Sequence, residues 1–324
     1  MRTLFVSTDG GHLSELVAIA DRLSPELVDG AVWACIDSAQ SRSILEHKQS
    51  VFVPNVQTRD VLGVLKSLPI AHKLQREWKF TQVISTGSGI ALSYLPYLAL
   101  RGATAHYIES ATRITSPSVT GKILQRVPGI RMYTQYENQA HGRWQYAGWI
   151  YDRFTAVETE PAPVKRAVVV LGTAHGFPFR RLLDALVPLL GAGGELERAQ
   201  GSPVETLWQT GGTPTDGLDI DARKFVPSAE LDVAIADADL VIGHAGAGTS
   251  YTALSYGRMP VLVPRDTSRG EIMDEHQHLF ASLLDDRGIA LKREPEQLTV
   301  DDLVKTAAHR VEVATNPPTF RLLT

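Results

Sequence analysis

The stretch Val241-Ile242-Gly243-His244-Ala245-Gly246-Ala247-Gly248-Thr249 narrows the fold more than any other, because an apolar strand there runs into a small-residue turn that opens a helix. Junctions of this kind belong to α/β folds, in which strands and helices alternate. Glycines at 246 and 248 let a ligand's phosphates approach the main chain. A helix beginning near Thr249 adds unpaired N–H groups and the positive end of its dipole. A diphosphate suits that surface. A strand-to-helix connection without a ligand uses the same residues, since glycine serves turns throughout α/β proteins, so the rest of the chain has to decide.

The alternation runs the length of the 324 residues, enough for two α/β domains of ordinary size. Apolar runs at Thr3–Ser7, Ala31–Ile36, Val51–Val53, Gln82–Ser85, Ala105–Ile108 and Ile130–Tyr133 predict strands, and His12–Leu23 and Ser38–His47 predict helices. A second series follows. Strands are expected at Ala167–Leu171, Glu205–Trp208, Leu240–Gly243 and Pro260–Val263, and helices at Phe179–Leu190, Ala229–Ala238, Thr249–Tyr256 and Glu275–Arg287. Between the two series, Glu158–Lys165 is charged, proline-rich and aperiodic, as a linker is. The expected fold class is α/β, with two Rossmann-like domains, 1–158 and 159–324, facing across a cleft and binding ligands at the carboxyl ends of parallel strands.

Composition excludes several classes of protein. With 44 % hydrophobic and 21 % charged residues the chain is an ordinary globular one. The lone cysteine, Cys35, sits in an apolar run and can form no intrachain disulfide, which fits a reducing compartment and a buried thiol. Met1 leads directly into a strand without a basic region and long apolar core, so the expected location is the cytoplasm. Gly89–Leu100 is too short to span a bilayer and contains Pro96. A net charge of −4 argues against nonspecific nucleic-acid binding. The halves differ, with 16 Lys/Arg against 14 Asp/Glu in residues 1–160 and 16 against 22 in residues 161–324.

Three further segments carry candidate chemistry. Ser7-Thr8-Asp9-Gly10-Gly11-His12 follows the first strand and places His12 at a helix start, where the dipole favours a neutral imidazole able to accept a proton. A histidine that only caps or packs at the turn fits equally. Tyr107-Ile108-Glu109-Ser110-Ala111-Thr112-Arg113 puts a carboxylate at a strand end, with an arginine on the same face if a helix starts there; a surface ion pair is the plainer reading. Asp274-Glu275-His276-Gln277-His278 opens a helix. The two histidines point to different faces, which speaks against zinc, while Glu275 and Gln277 suit sugar hydroxyls.

Together these motifs resemble glycosyltransferase family 28 of the GT-B fold, especially the two-subunit transferases whose acceptor and donor halves are separate chains. Those include the pair adding the second N-acetylglucosamine to dolichol diphosphate sugars and bacterial exopolysaccharide pairs; here the halves read as fused. The acceptor half is similar in Gly10-Gly11-His12-Leu13-Ser14-Glu15-Leu16, in Glu109-Ser110 to Arg113, and in Pro117–Lys122. The donor half is similar in Leu171-Gly172-Thr173 with Phe177-Pro178-Phe179, Gln209-Thr210-Gly211, His244 to Thr249, and Glu275-His276-Gln277.

The resemblance implies a UDP-sugar donor on the second domain, with uracil against the main chain near Phe225-Val226, diphosphate over Gly246, Ala247, Gly248 and Thr249, and sugar hydroxyls on Glu275 and Gln277. It implies no metal and no cofactor beyond the donor substrate, because helix ends and side-chain donors take the leaving charge. Thr252 stands where many relatives carry a ribose-binding glutamate. His12, or else Glu109 or Asp9, becomes the base for an inverting displacement, with Gly10, Gly11, Ser110 and Arg113 near the acceptor.

The implied acceptor is a polyprenyl-diphosphate-linked saccharide of cell-surface polysaccharide synthesis, with partner proteins of that assembly possible. Arg59, Lys66, Lys73, Arg76 and Lys79 among apolar residues, with Gly89–Leu100 adding apolar surface, fit a peripheral protein on the anionic inner face of the plasma membrane. A core-facing helix with a solvated charged face has the same pattern. Rival functions are a UDP-sugar 2-epimerase and a non-catalytic nucleotide-sugar-binding subunit.

Overall fold

Short apolar runs, each followed by a helical stretch, form two separate parallel sheets. A computed structural model describes residues 1–56, 60–172, 176–272 and 275–323. It divides into two units, Met1–Asp152 with Asn316–Thr324, and Arg153–Thr315.

The strands of the first unit are β1 (Thr3–Ser7), β2 (Val32–Ile36), β3 (Ser50–Val53), β4 (Gln82–Ser85), β5 (Thr104–Ile108), β6 (Ile130–Thr134) and β7 (Trp144–Tyr146). Its helices are α1 (Gly11–Ala20), α2 (Pro25–Val28), α3 (Ala39–Ile44), α4 (Val61–Trp78), α5 (Gly89–Leu100) and α6 (Val119–Leu124). The sheet order is β3-β2-β1-β4-β5-β6-β7, with every pairing parallel. Helices cover both faces of such a sheet, so β1 and β2 are buried at every residue and read as unbroken apolar runs. Phe5 pairs in register with Trp33 and the rings stack at 4.4 Å.

One expectation is overturned here. The apolar segment Gly89–Leu100 supplies core, not surface: Ile90, Ala91, Tyr94, Leu95 and Leu98 pack against β1, β4 and β5. Each large side chain so buried contributes roughly 1.5–3 kcal/mol, which accounts for its composition without a membrane.

The second unit holds β8 (Phe154–Glu158), β9 (Arg166–Val170), β10 (Glu205–Gln209), β11 (Ala222–Arg223), β12 (Leu240–Gly243), β13 (Pro260–Leu262), β14 (Leu291–Lys292) and β15 (His309–Val313). Its helices are α7 (Arg180–Leu190), α8 (Glu195–Gln200), α9 (Ser228–Asp237), α10 (Ala247–Ser255), α11 (His276–Asp286) and α12 (Val300–Ala307). The parallel order is β11-β10-β9-β12-β13-β14. The pair β8–β15 is antiparallel and joins residues over 150 positions apart, His309 opposite Glu158. The units therefore part between Asp152 and Arg153, ahead of the expected position at 158, and the proline-rich 159–165 is an extended stretch inside the second unit.

The chain end returns to the first unit. The Phe320 N–H donates to the Arg22 carbonyl at 3.1 Å, and the Arg22 guanidinium donates to the Trp149 carbonyl at 2.8 Å, pairs with Asp152 at 2.9 Å and lies over the Phe320 ring. Both sheets are doubly wound: strand order reverses between β1 and β4 in one and between β9 and β12 in the other. Ligands of open α/β sheets bind at the carboxyl ends of the strands beside such reversals. Among the described residues no helix is long and apolar enough to cross a membrane.

Candidate functional site

At the reversal of the first sheet, β1 ends at Ser7 and α1 opens at Gly11. Gly10 is the N-cap with φ +70°, a conformation costly for any residue with a Cβ, and no side chain caps the helix. His12 is half-buried in the first turn, and Asp9 is half-buried in the loop before it. The Thr86 hydroxyl donates to the His12 carbonyl at 2.8 Å and ties the helix start to the β4 loop. Gly87, at φ +122°, sits against the imidazole: a Cβ there would come within 3.4 Å of His12 Cε1 and 3.3 Å of Tyr107 Oη. Thr86 and Gly87 were not foreseen, although a glycine turn directly after a strand is itself a readable signal.

Glu109 follows β5, buried, with both oxygens engaged. Oε1 accepts from Tyr107 Oη at 3.2 Å and the Ser110 N–H at 3.1 Å; Oε2 accepts from the Ser118 N–H at 2.9 Å and Ser118 Oγ at 3.0 Å. Burial raises its pKa, against those donors and the nearby Arg113. The carboxylate therefore braces the loop from β5 to α6. No helix begins at 109; residues 109–118 form turns, so the helical face expected to join Glu109 and Arg113 does not exist, although the two charges still interact. Arg113 is half-buried, and its N–H donates to the Ser110 carbonyl at 2.9 Å.

Glu15 carries a role that its place in the glycine-histidine motif does not disclose. Three residues along α1 from His12, it is 2 % exposed, and its Oε1 accepts from the Ala111 N–H and from Gln135 Nε2, both at 2.6 Å. Burial foremost, with a smaller push from the Glu109 charge, raises its pKa to about 7. One side chain thus couples the helix of His12 to the Ser110–Arg113 turn.

At the reversal of the second sheet the glycines have a purpose the sequence did not disclose. The His244 ring lies between Gly172 and Gly246: a Cβ on Gly172 would fall 2.6 Å from His244 Cε1, and one on Gly246 would fall 2.5 Å from Nε2. Gly172 also has φ +77°. His244 Nδ1 lies 3.2 Å from the Val170 carbonyl. Burial first, then the charge of Arg265, push its pKa down to about 3. It is a neutral imidazole at any physiological pH. Helix α10 starts at Ala247, two residues earlier than expected, with Gly246 as N-cap; the N-cap makes no side-chain capping bond and the first turn has no acid to oppose an anion at the positive end of the helix. Gly248 and Thr249 lie in that first turn and Thr252 one turn on, half-buried.

The remaining expected donor residues surround this point unevenly. Gln209, buried at the end of β10, accepts the Val226 N–H at 2.9 Å and so shapes the Phe225-Val226 loop; Phe225 is half-buried and Val226 buried. The Thr210 and Gly211 N–H groups donate to Arg223 and Lys224 carbonyls at 2.9 and 3.1 Å, holding the same loop from below. Gln277 is buried and its Oε1 accepts the Arg265 N–H at 3.1 Å, so that oxygen is engaged within the unit. Glu275 is exposed and accepts from Thr267 Oγ1 at 2.5 Å. Thr173, Arg59 and Asp274 lie outside the described residues. Among the described residues no group of three or more His, Cys, Asp or Glu could hold a metal ion.

Residues 168–318 match the glycosyltransferase family 28 C-terminal domain. Solved structures share the architecture along nearly the whole chain. MurG from Acinetobacter baumannii is 18 % identical, with 95 % of this chain and 93 % of that one covered at TM-score 0.57. The spinosyn forosaminyltransferase SpnP is 17 % identical, covering 95 % and 89 % at 0.58. The spinosyn rhamnosyltransferase SpnG, solved with thymidine diphosphate, is 15 % identical, covering 95 % and 91 % at 0.54. At these identities the likeness establishes the fold, two Rossmann-like domains. No curated protein sequence matches the chain.

Proposed function

We propose that this chain, a family 28 glycosyltransferase of the GT-B fold, moves a sugar from a UDP-sugar to a polyprenyl-diphosphate-linked saccharide with inversion. The observation that carries the donor reading is the β9–β12 reversal, where an uncapped helix N-terminus free of acids adjoins the Gly172–His244–Gly246 nest. SpnG, with thymidine diphosphate bound, lends support to a nucleoside diphosphate there. On this reading the leaving diphosphate rests on the α10 amides, without a metal. His12 takes the proton from an acceptor hydroxyl as its oxygen bonds to the anomeric carbon and the bond from that carbon to the diphosphate breaks. Gly10, Gly11, Ser110 and Arg113 form the acceptor side, and Thr252 takes the ribose-facing place.

A lipid-linked acceptor is supported by an apolar rim on the first unit. Val61, Leu62 and Leu65 of α4 and Val119 and Ile123 of α6 are exposed; α4 and α6 follow β3 and β5, so Val61, Leu62 and Val119, at the helix starts, stand on the side of the sheet's carboxyl end that also carries His12. Lys66 and Lys122 stand among them. We read this rim as resting on the anionic inner face of the plasma membrane, in place of the buried α5. Polysaccharide synthesis, and partner proteins of that pathway, follow from the same acceptor class.

The deciding experiment is incubation with radiolabelled UDP-sugars and membrane lipid extract. Label transferred to lipid supports the proposal; epimerised free donor supports a 2-epimerase, and label merely retained by the protein a non-catalytic binding subunit. In flotation, binding to anionic vesicles is expected to exceed binding to neutral ones and to fall when Lys66, Lys73 and Arg76 are replaced. Equal binding throughout removes the membrane reading.

A further inference from the structure

Two arginines of the second unit lie over one aromatic ring and are treated in opposite ways. The Arg181 guanidinium, 5.7 Å from the Phe179 centroid, is bidentate to Glu271 at 3.1 and 3.0 Å and also paired with Glu296 at 2.9 Å. Arg265, 5.5 Å from the same centroid and 4 % exposed, has no ion pair among the described residues. Its Nη2 donates to the Leu171 carbonyl at 2.6 Å, and its Nε is buried without a hydrogen-bond partner among the described residues. The one acid whose charge reaches it, Glu271, is already bidentate to Arg181.

A buried cation left without a counter-charge is costly, by several kcal/mol in order of magnitude, unless something brings the negative charge to it. The position of Arg265 says where that charge would come from. It follows β13, next to β12 in the sheet, and it reaches across to the end of β9; Gln277 fixes its backbone. The neighbouring His244 is neutral and the first turn of α10 holds no acid, so among the described residues only Glu271, already bound to Arg181, offers Arg265 a negative charge.

We propose that Arg265 is the resident cation for an oxyanion of the donor. The inference rests on the reading of the second unit as the nucleotide-sugar unit. Two sources supply that oxyanion, the diphosphate common to all UDP-sugars and the carboxylate of a uronic acid; a guanidinium donates to either in bidentate fashion. Arg269, its neighbour in sequence, is exposed and paired with Asp266 at 3.3 Å, so its charge is already spent.

The test is calorimetry on the full chain with uridine, UDP, UDP-glucose and UDP-glucuronate, comparing the parent, Arg265→Met and Arg265→Lys, with thermal unfolding of each without ligand. The parent is expected to bind UDP more tightly than uridine. In Arg265→Met, UDP affinity should fall about 10- to 100-fold, the range of a charged hydrogen bond, while uridine affinity holds and the unliganded melting temperature stays level or rises. Arg265→Lys should retain part of the affinity. An equal loss for UDP and both UDP-sugars assigns the diphosphate; a loss confined to UDP-glucuronate assigns the carboxylate. A melting temperature that drops in both variants with ligand affinities unchanged would show a structural arginine and overturn the proposal. A parent that binds no UDP would instead bring down the donor reading itself, and this inference with it.

Discussion

The two sheet reversals are built alike and each presents a histidine, yet the imidazoles are held in opposite ways. His12 stands inside the first turn of α1, half-buried, its ring against Gly87. His244 stands before its helix, clasped by Gly172 and Gly246 and driven to a pKa of about 3. The difference is one of position: His12 lies inside the first turn of its helix, whereas His244 precedes its helix and brings Nδ1 to 3.2 Å from the Val170 carbonyl, both residues being half-buried. The same topology therefore sets one imidazole at a helix start against Gly87 and packs the other between two glycines near the buried Arg265.

The largest effect that can break this comparison is catalytic. His12→Ala should lower turnover by about 10²- to 10⁴-fold with donor affinity unchanged, measured by transfer kinetics and calorimetry. His244→Gln should cost far less turnover than His12→Ala. If turnover collapses with His244→Gln and survives His12→Ala, the roles are reversed.

A smaller effect separates packing from ligand binding in the glycine nest. Gly246 has φ −81°, which alanine tolerates, so Gly246→Ala should cost about 1–3 kcal/mol through the clash with His244 alone. Adding His244→Ala should recover part of that loss, a non-additivity expected only of groups in contact. Strictly additive urea-unfolding midpoints would mean that the ring does not fill the nest.

The third prediction concerns Glu15, the buried acid below His12. Its folded pKa of about 7 exceeds the ordinary 4.5, so it favours the native state below 4.5 and that contribution is lost as pH rises through 7. Glu15→Gln keeps the accepting oxygen and removes the charge. It should be more stable than the parent at pH 8 by roughly 3 kcal/mol and no more stable at pH 4.5, as urea midpoints at the two pH values will show. A difference independent of pH sinks this account.

Much of the fold was legible because it is written locally. Buried parallel strands need continuous apolar runs, and the turns between them need glycine, so the strands β1, β2, β4, β6, β9 and β12 and the start of α1 lay within a residue or two of expectation. Strands β7, β11 and β14 were not legible, being only two or three residues long, nor was β15, whose partner β8 is remote in sequence. The site divides in the same manner. Gly10, His12, Gly246 and Glu109 were marked by their places at strand ends; the donors that occupy Glu109 are local, from Tyr107, Ser110 and Ser118, yet nothing in their spacing announced the turn that replaces a helix there, and Glu15's two bonds come from distant segments.

Sequence alone determined the order of strands, turns and helices, hence a doubly wound α/β architecture with helices opening at glycine turns, because those depend on periodicity and backbone conformation over a few residues. Tertiary structure alone decided what each polar group has left to offer. Whether a glycine cradles a phosphate or a histidine ring, whether an apolar helix faces lipid or core, and whether an arginine has a carboxylate or only Phe179 beside it are matters of which remote atoms arrive, and spacing along the chain carries no record of that.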